Sequence, residues 1–257
     1  MTTTLIETPE GGYAFLPASA TYSAGAIASA GFGMAHVVFR RPLALAEGFE
    51  AMRAYLSIIG RPMAAVCGIE LRVGAPLTWA GFGDFNKGYV ALLQQHGLHI
   101  DGKAPAVRTN VAPLPASVAL SEPSVYAFTH TIAMTTERAN FIIAGQGESG
   151  KAPEGRPPRE GIVRLGDTSP EAMREKAAYC VAAAQNLLDR LGVRWDDASA
   201  TTIYTAHPYH SFLEATVMSA MGASAIHGVH WHYSKPPIEE IEFEIDTRNT
   251  AQEITLG

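Results

Sequence analysis

One succession of elements occurs twice in this chain, and that repetition limits its possible folds more than any other feature. Leu45, Phe49, Met52, Leu56 and Ile59 recur at helical spacing, and Gly60 stops the run. Ala177, Cys180, Val181, Ala184, Leu187, Leu188 and Leu191 do the same ahead of Gly192. Glycine just past a helix takes the left-handed conformation that other residues resist. In the second run Thr168 and Ser169 offer an N-cap, Pro170 suits the first turn and Glu171 completes a capping box. A β-rich strand follows each glycine, at 64–73 and 198–206, and a second helix follows each strand, at 79–95 and 209–221. Runs of β-branched and aromatic residues add strands at 22–29, 34–40 and 107–111, then at 124–133, 139–146, 226–233 and 238–245. Pro113 and Pro115 lead from one half into the other. The expectation is an α+β protein of two similar domains, 1–117 and 118–257, each a mixed sheet covered by two helices.

Composition narrows the function classes. The 257 residues are 47% hydrophobic and 17% charged, an ordinary globular balance. No apolar run approaches the roughly 20 residues of a membrane span. Met1-Thr-Thr-Thr-Leu-Ile-Glu lacks the basic and apolar regions of a secretory leader, and Cys67 and Cys180 are too few for a disulfide framework. A cytoplasmic protein without a membrane partner is expected. The net charge is −6, which argues against a general nucleic-acid surface and against a ribonuclease. The charge is uneven: residues 1–117 hold 8 basic and 7 acidic side chains, the remainder 11 and 18. The basic residues of the first half are mostly arginines, including Arg72 and Arg108, and arginine suits bidentate binding of carboxylates.

Several segments resemble the Rid family, also called YjgF-like proteins. In the second half these are Gly145-Gln146 after a strand, the long helix ending at Gly192, Asp197, the Thr201-Thr202-Ile203-Tyr204 strand, and the closing run from Lys235 to Asp246. In the first half Phe82, Asn86 and Tyr89 match the family's FxxxNxxY helix, and Pro105-Ala-Val-Arg108 followed by Leu114-Pro115 matches its PAR…LP segment. The resemblance implies chorismate-mutase-like domains, trimeric assembly and ligand clefts between subunits. It implies hydrolysis of enamines or imines with release of ammonia in the active members. It also implies an arginine that binds the substrate carboxylate and a glutamate that positions water. With its length and divergent first half, the chain resembles the larger deaminases of 2-aminomuconate or its chloro derivative. A non-catalytic ligand-binding or regulatory relative is the alternative.

The halves depart from the family pattern in complementary ways. The second half keeps Glu242 on its closing strand but has His227 at the arginine position, Thr216 and Ser219 for Asn and Tyr, and Ala144 before Gly-Gln. The first half keeps Arg108 and Asn86 but shows no clean closing strand, and its best carboxylate is Glu122, seven residues after Pro115. Enamine hydrolysis needs a cation for the carboxylate and a carboxylate or histidine to handle water; it needs no metal and no cofactor. The candidate catalytic residues are therefore Arg108, Glu242, Glu122 and His227, with Asn86, Tyr89, Arg72 and Gln146 binding a small carboxylate substrate. His230 and His232 are two apart on a strand and face one side, but no complete metal-ligand pattern accompanies them. Two such domains cannot close a three-fold ring alone, so a homo-oligomer, most simply a trimer, is expected.

Overall fold

A computed structural model describes residues 4–114 and 120–257. The junction drawn between residues 117 and 118, and Pro115 with it, lies outside the described residues. The chain opens with a hairpin of β1 (Ile6–Thr8) and β2 (Tyr13–Pro17), then β3 (Ser23–Ala28) and β4 (Phe32–Ala44). Next come α1 (Leu45–Ile58), β5 (Val66–Arg72), α2 (Trp79–Gln95), β6 (Val107–Pro113) and β7 (Ser124–Ala133). The remainder supplies β8 (Phe141–Ile143), β9 (Gln146–Gly147), α3 (Pro170–Leu191), β10 (Ala200–Thr205) and β11 (His230–His232). It ends with β12 (Ser234–Lys235), β13 (Phe243–Asn249) and β14 (Gln252–Leu256).

The described strands join one curled mixed sheet whose main path runs β11-β10-β13-β8-β3-β6-β5-β7-β4-β14. One pairing scheme occurs twice within it. β5 lies parallel to β6 and antiparallel to β7, and β7 is antiparallel to β4. Likewise β10 lies parallel to β11 and antiparallel to β13, and β13 is antiparallel to β8 and β9. Residues 124–133, read from sequence as the first strand of the second half, thus take the closing position beside β5. The contact of β3 with β8 and the pairing of β12 with β6 join the two halves through their backbones.

Each half buries its own apolar stripe. On α3, Ala177, Cys180, Ala184 and Leu188 are fully buried against Phe141, Ile203, Phe243 and Ile245. Full burial of a leucine is worth about 1.5–3 kcal/mol, so this stripe is a principal source of stability. The Ser169 hydroxyl accepts the Ala172 N–H at its start, and Gly192 ends it with φ 75°. Under α1 and α2, Phe49, Met52, Leu56, Tyr89 and Leu93 pack on Ile69, Leu71 and Phe128.

Two expected elements differ. The helix expected at 209–221 is α-helical only at His210–Phe212 and Ser219–Met221; Leu213–Met218 is π-wound, and Gly222–His227 is a 3₁₀ turn. Asp196 causes the turn: its Oδ1 accepts the Ala223 N–H at 2.7 Å and occupies the space of a side chain at Gly222. The strand expected at 226–233 therefore shortens to β11. The strand expected at 238–245 starts only at Phe243, because residues 237–239 bond instead to the chain ahead of α2. The Leu77 N–H donates to the Pro237 carbonyl at 2.8 Å, and the Glu239 N–H donates to the Leu77 carbonyl at 3.1 Å. This detour builds one wall of the site.

Candidate functional site

Arg108 on β6 is 6% exposed and points into a cavity of about 210 Å³ between the halves. Helix α2, capped by the Thr78 hydroxyl, lays Phe82, Phe85, Asn86 and Tyr89 along one face at i, i+3, i+4 and i+7. Asn86 Oδ1 accepts from Arg108 Nη1 at 2.8 Å, which aims the guanidinium. The rings of Tyr22, Phe82, Phe85 and Tyr89 stand 5.2–5.9 Å from the guanidinium carbon. Such rings favour a desolvated cation by ~0.5–2 kcal/mol each at best. Among the described residues no carboxylate forms an ion pair with Arg108. A guanidinium stays charged even when burial lowers its pKa, as it does here. The cavity therefore holds a fixed positive charge without a bonded counter-ion.

The second half contributes the acid. Glu244 on β13 lines the same cavity, 5% exposed. Burial, seconded by the charges of Asp246 and Glu148, pushes its carboxyl up to about 8 against the opposing pull of Arg108. The carboxyl is therefore mostly protonated at neutral pH. Gly145 makes room for it, since a Cβ there would lie 1.9 Å from Glu244 Oε1. Asn110, two residues beyond Arg108 on β6, completes the polar side of the cavity, and Phe82, Ile238 and Ile241 form an apolar wall.

Glu148 and Lys176 hold this arrangement from behind. Both side chains are fully buried and paired at 3.1 Å. Glu148 also accepts the N–H groups of Glu242 at 2.7 Å and Phe243 at 2.9 Å, fixing the start of β13 just before Glu244. Lys176→Met leaves that carboxylate buried without its cation. It is expected to cost about 3–5 kcal/mol of unfolding free energy by urea denaturation. A loss under 1 kcal/mol would refute this role.

The structure distributes the sequence candidates unevenly. Arg108, Asn86, Tyr89 and Gln146 come together: Tyr89 is buried beside the guanidinium, and Gln146 lines the cavity. Glu242 stands apart from the cavity, just before β13, where Lys235 Nζ reaches it at 2.9 Å and His207 Nε2 at 2.8 Å. His227 is exposed at the end of its 3₁₀ turn, and Glu122 is exposed ahead of β7. Arg72 belongs to a different cluster. Its guanidinium lies 3.9 Å from the Tyr126 ring centre and 3.4 Å from Glu70. Beside it a smaller cavity of about 150 Å³ is lined by His36, Glu70, His230, His232 and Arg248, among others. The charges there are paired internally, His36 with Glu70 at 2.9 Å and Arg248 with Glu253 at 3.2 Å. Burial and the nearby Arg72 lower His232 to about 4, so it is neutral at pH 7. Among the described residues no group of three or more His, Cys, Asp or Glu side chains is arranged to hold a metal ion.

Sequence reasoning takes Glu244 for part of a solvated strand face, which its 5% exposure overturns, and it misses Asn110, Glu148 and Lys176. Two signals were available: Asn110 shares a strand face with Arg108, and Lys176 interrupts the apolar stripe four residues before Cys180.

A buried cation without a bonded counter-ion, a carboxyl with a raised pKa and an amide thus surround one small cavity, an arrangement chemically able to hold a small carboxylate beside a proton donor. The family model "2-aminomuconate deaminase CnbZ" matches residues 5–254. A 2-amino-5-chloromuconate deaminase of Comamonas testosteroni is 38% identical over 250 residues, 96% of each chain. The chain belongs to the 2-aminomuconate deaminase CnbZ family. Among solved structures, a chorismatase gives a TM-score of 0.44 at 13% identity, covering 88% of this chain and 77% of its own. The YjgF gene product of E. coli gives 0.28 at 16% identity, covering 44% and 80%. Among the described residues no helix is long and apolar enough to cross a membrane.

Proposed function

We propose that the chain is a hydrolytic deaminase releasing ammonia from an enamine or imine dicarboxylate, 2-aminomuconate or its chloro derivative. Family membership and the name of the Comamonas relative support the substrate class. The observation that carries the chemistry is Arg108, a buried cation whose missing counter-ion a substrate carboxylate supplies. Glu244, rather than Glu242, is the proton carrier in this reading, because it shares the cavity with Arg108.

The steps balance without a cofactor. The Glu244 carboxyl gives its proton to the enamine carbon, converting the enamine to an iminium. The carboxylate it leaves stabilises that cation, then takes a proton from water as the oxygen attacks the iminium carbon. Glu244, protonated again, gives that proton to the carbinolamine nitrogen; as the C–N bond breaks the hydroxyl proton passes back to Glu244, and ammonia and the 2-oxo acid leave. The apolar wall of Phe82, Ile238 and Ile241 suits the diene. A cytoplasmic homo-oligomer, a trimer by the closure argument, remains part of the proposal.

The test is ammonia release. Purified protein given 2-aminomuconate is expected to form one ammonia per diene consumed, well above the spontaneous rate. Saturable binding without ammonia would replace the deaminase by the ligand-binding reading.

A further inference from the structure

We propose that Asn110 is the specificity-determining residue that tells an amino group from an oxo group on the substrate carbon beside the Arg108-bound carboxylate. The inference rests on the deaminase reading above. Asn110 is 3% exposed, lines the cavity, and neither its Oδ1 nor its Nδ2 has a hydrogen-bond partner. Leaving buried polar atoms unpaired costs about 1–3 kcal/mol per group. Thr109, the next residue back along β6, has its hydroxyl bonded to Asp246 at 2.9 Å. Asn110 instead shares the face of Arg108, about 7 Å along the strand. Its amide thus carries an unpaired acceptor and an unpaired donor next to the carboxylate clamp, both sealed from solvent until a substrate edge packs against them.

That pair of atoms has one natural complement. In a 2-aminoenoate the amino group and the carboxylate are conjugated and coplanar, so one edge of the molecule presents an N–H donor beside an oxygen acceptor. A primary amide presents an acceptor beside a donor, also in one plane, and the two edges match. The 2-oxo product presents two acceptors on that edge, and Asn110 Oδ1 then faces a lone pair. Asn110 thereby favours the amino compound and disfavours the product, which helps release. A site built to bond a polar substituent rejects the analogue that lacks the bond.

The experiment uses the full chain and Asn110→Leu, which keeps the shape and removes the polar atoms. Asn110→Ala is the second variant should leucine fail to fold. Two quantities are read: kcat/KM for 2-aminomuconate, and the inhibition constant of 2-oxoadipate, a stable 2-oxo dicarboxylate. The expected result is a fall of about 10- to 100-fold in kcat/KM, with inhibition by 2-oxoadipate unchanged within about threefold or tighter. The melting temperature is expected to hold or rise, since no bond of the free protein is lost. Equal weakening towards both compounds, or unchanged kcat/KM, would overturn the assignment of Asn110 alone. Absence of ammonia release by the wild-type chain would overturn the deaminase reading, and the Asn110 proposal with it.

Discussion

Glu244→Gln is expected to lower kcat by about 10²–10⁴-fold, the usual worth of a positioned proton carrier, while raising stability at neutral pH. Both effects come from one cause. Folding raises this carboxyl from its ordinary 4.5 to about 8, burial being the largest factor. A group raised on folding contributes stability that is fully present below the unfolded value and is lost as pH rises through the folded one. Wild-type protein therefore loses stability between about pH 4.5 and 8, at most about 1.4 kcal/mol per unit, while glutamine does not titrate. By pH 7 the accumulated gap is roughly 3 kcal/mol in favour of the variant. The same titration limits catalysis, since the acid form acts first: wild-type kcat/KM is expected to fall as pH rises through about 8. Melting curves at pH 5 and pH 8 check the stability half, and ammonia release between pH 6 and 10 checks the other. A gap between variant and wild type that does not widen with pH, or a variant with near-normal kcat, would refute the assignment.

The repeat was legible because it is written in local signals. Helix stripes, a capping serine and the stop at Gly192 are physics of adjacent residues, and the structure keeps α1, α2 and α3 within a few residues of the reading. Long-range pairing was not legible. Ser124–Ala133 was read as a strand with its bounds as observed, yet nothing in its composition says that its partners are β4 and β5. The site divides along the same line. Arg108 and Asn86 were readable from motif spacing, and their bond is observed. The choice between Glu242 and Glu244 was not readable, because alternation alone puts both on one face. It turns on where β13 begins, and that is fixed by Glu148, a residue 94 positions away from Glu242. The 3₁₀ turn that follows the helical segment at 210–221 has a similar origin in Asp196, which lies outside any local window.

Arg108→Ala is expected to cut kcat/KM for a carboxylate substrate by roughly 30- to 1000-fold, which is about 2–4 kcal/mol for a charge-assisted bidentate contact. Arg108→Lys is expected to fall between, because an ammonium keeps the charge but loses the planar fork that Asn86 aims. Two further readouts separate a carboxylate clamp from a packing residue. First, cis,cis-muconate, a dicarboxylate without an amino group, should raise the melting temperature of wild type by mass action and leave that of Arg108→Ala unmoved. Second, Arg108 is the principal group pulling the Glu244 carboxyl down, against burial and Asp246. Its removal should move the alkaline limb of the residual kcat/KM profile to higher pH, whereas Arg108→Lys should leave the limb closer to wild type. A packing role predicts neither effect. Folded Arg108→Ala with near-wild-type kcat/KM, or with muconate protection intact, would remove the carboxylate clamp from this cavity.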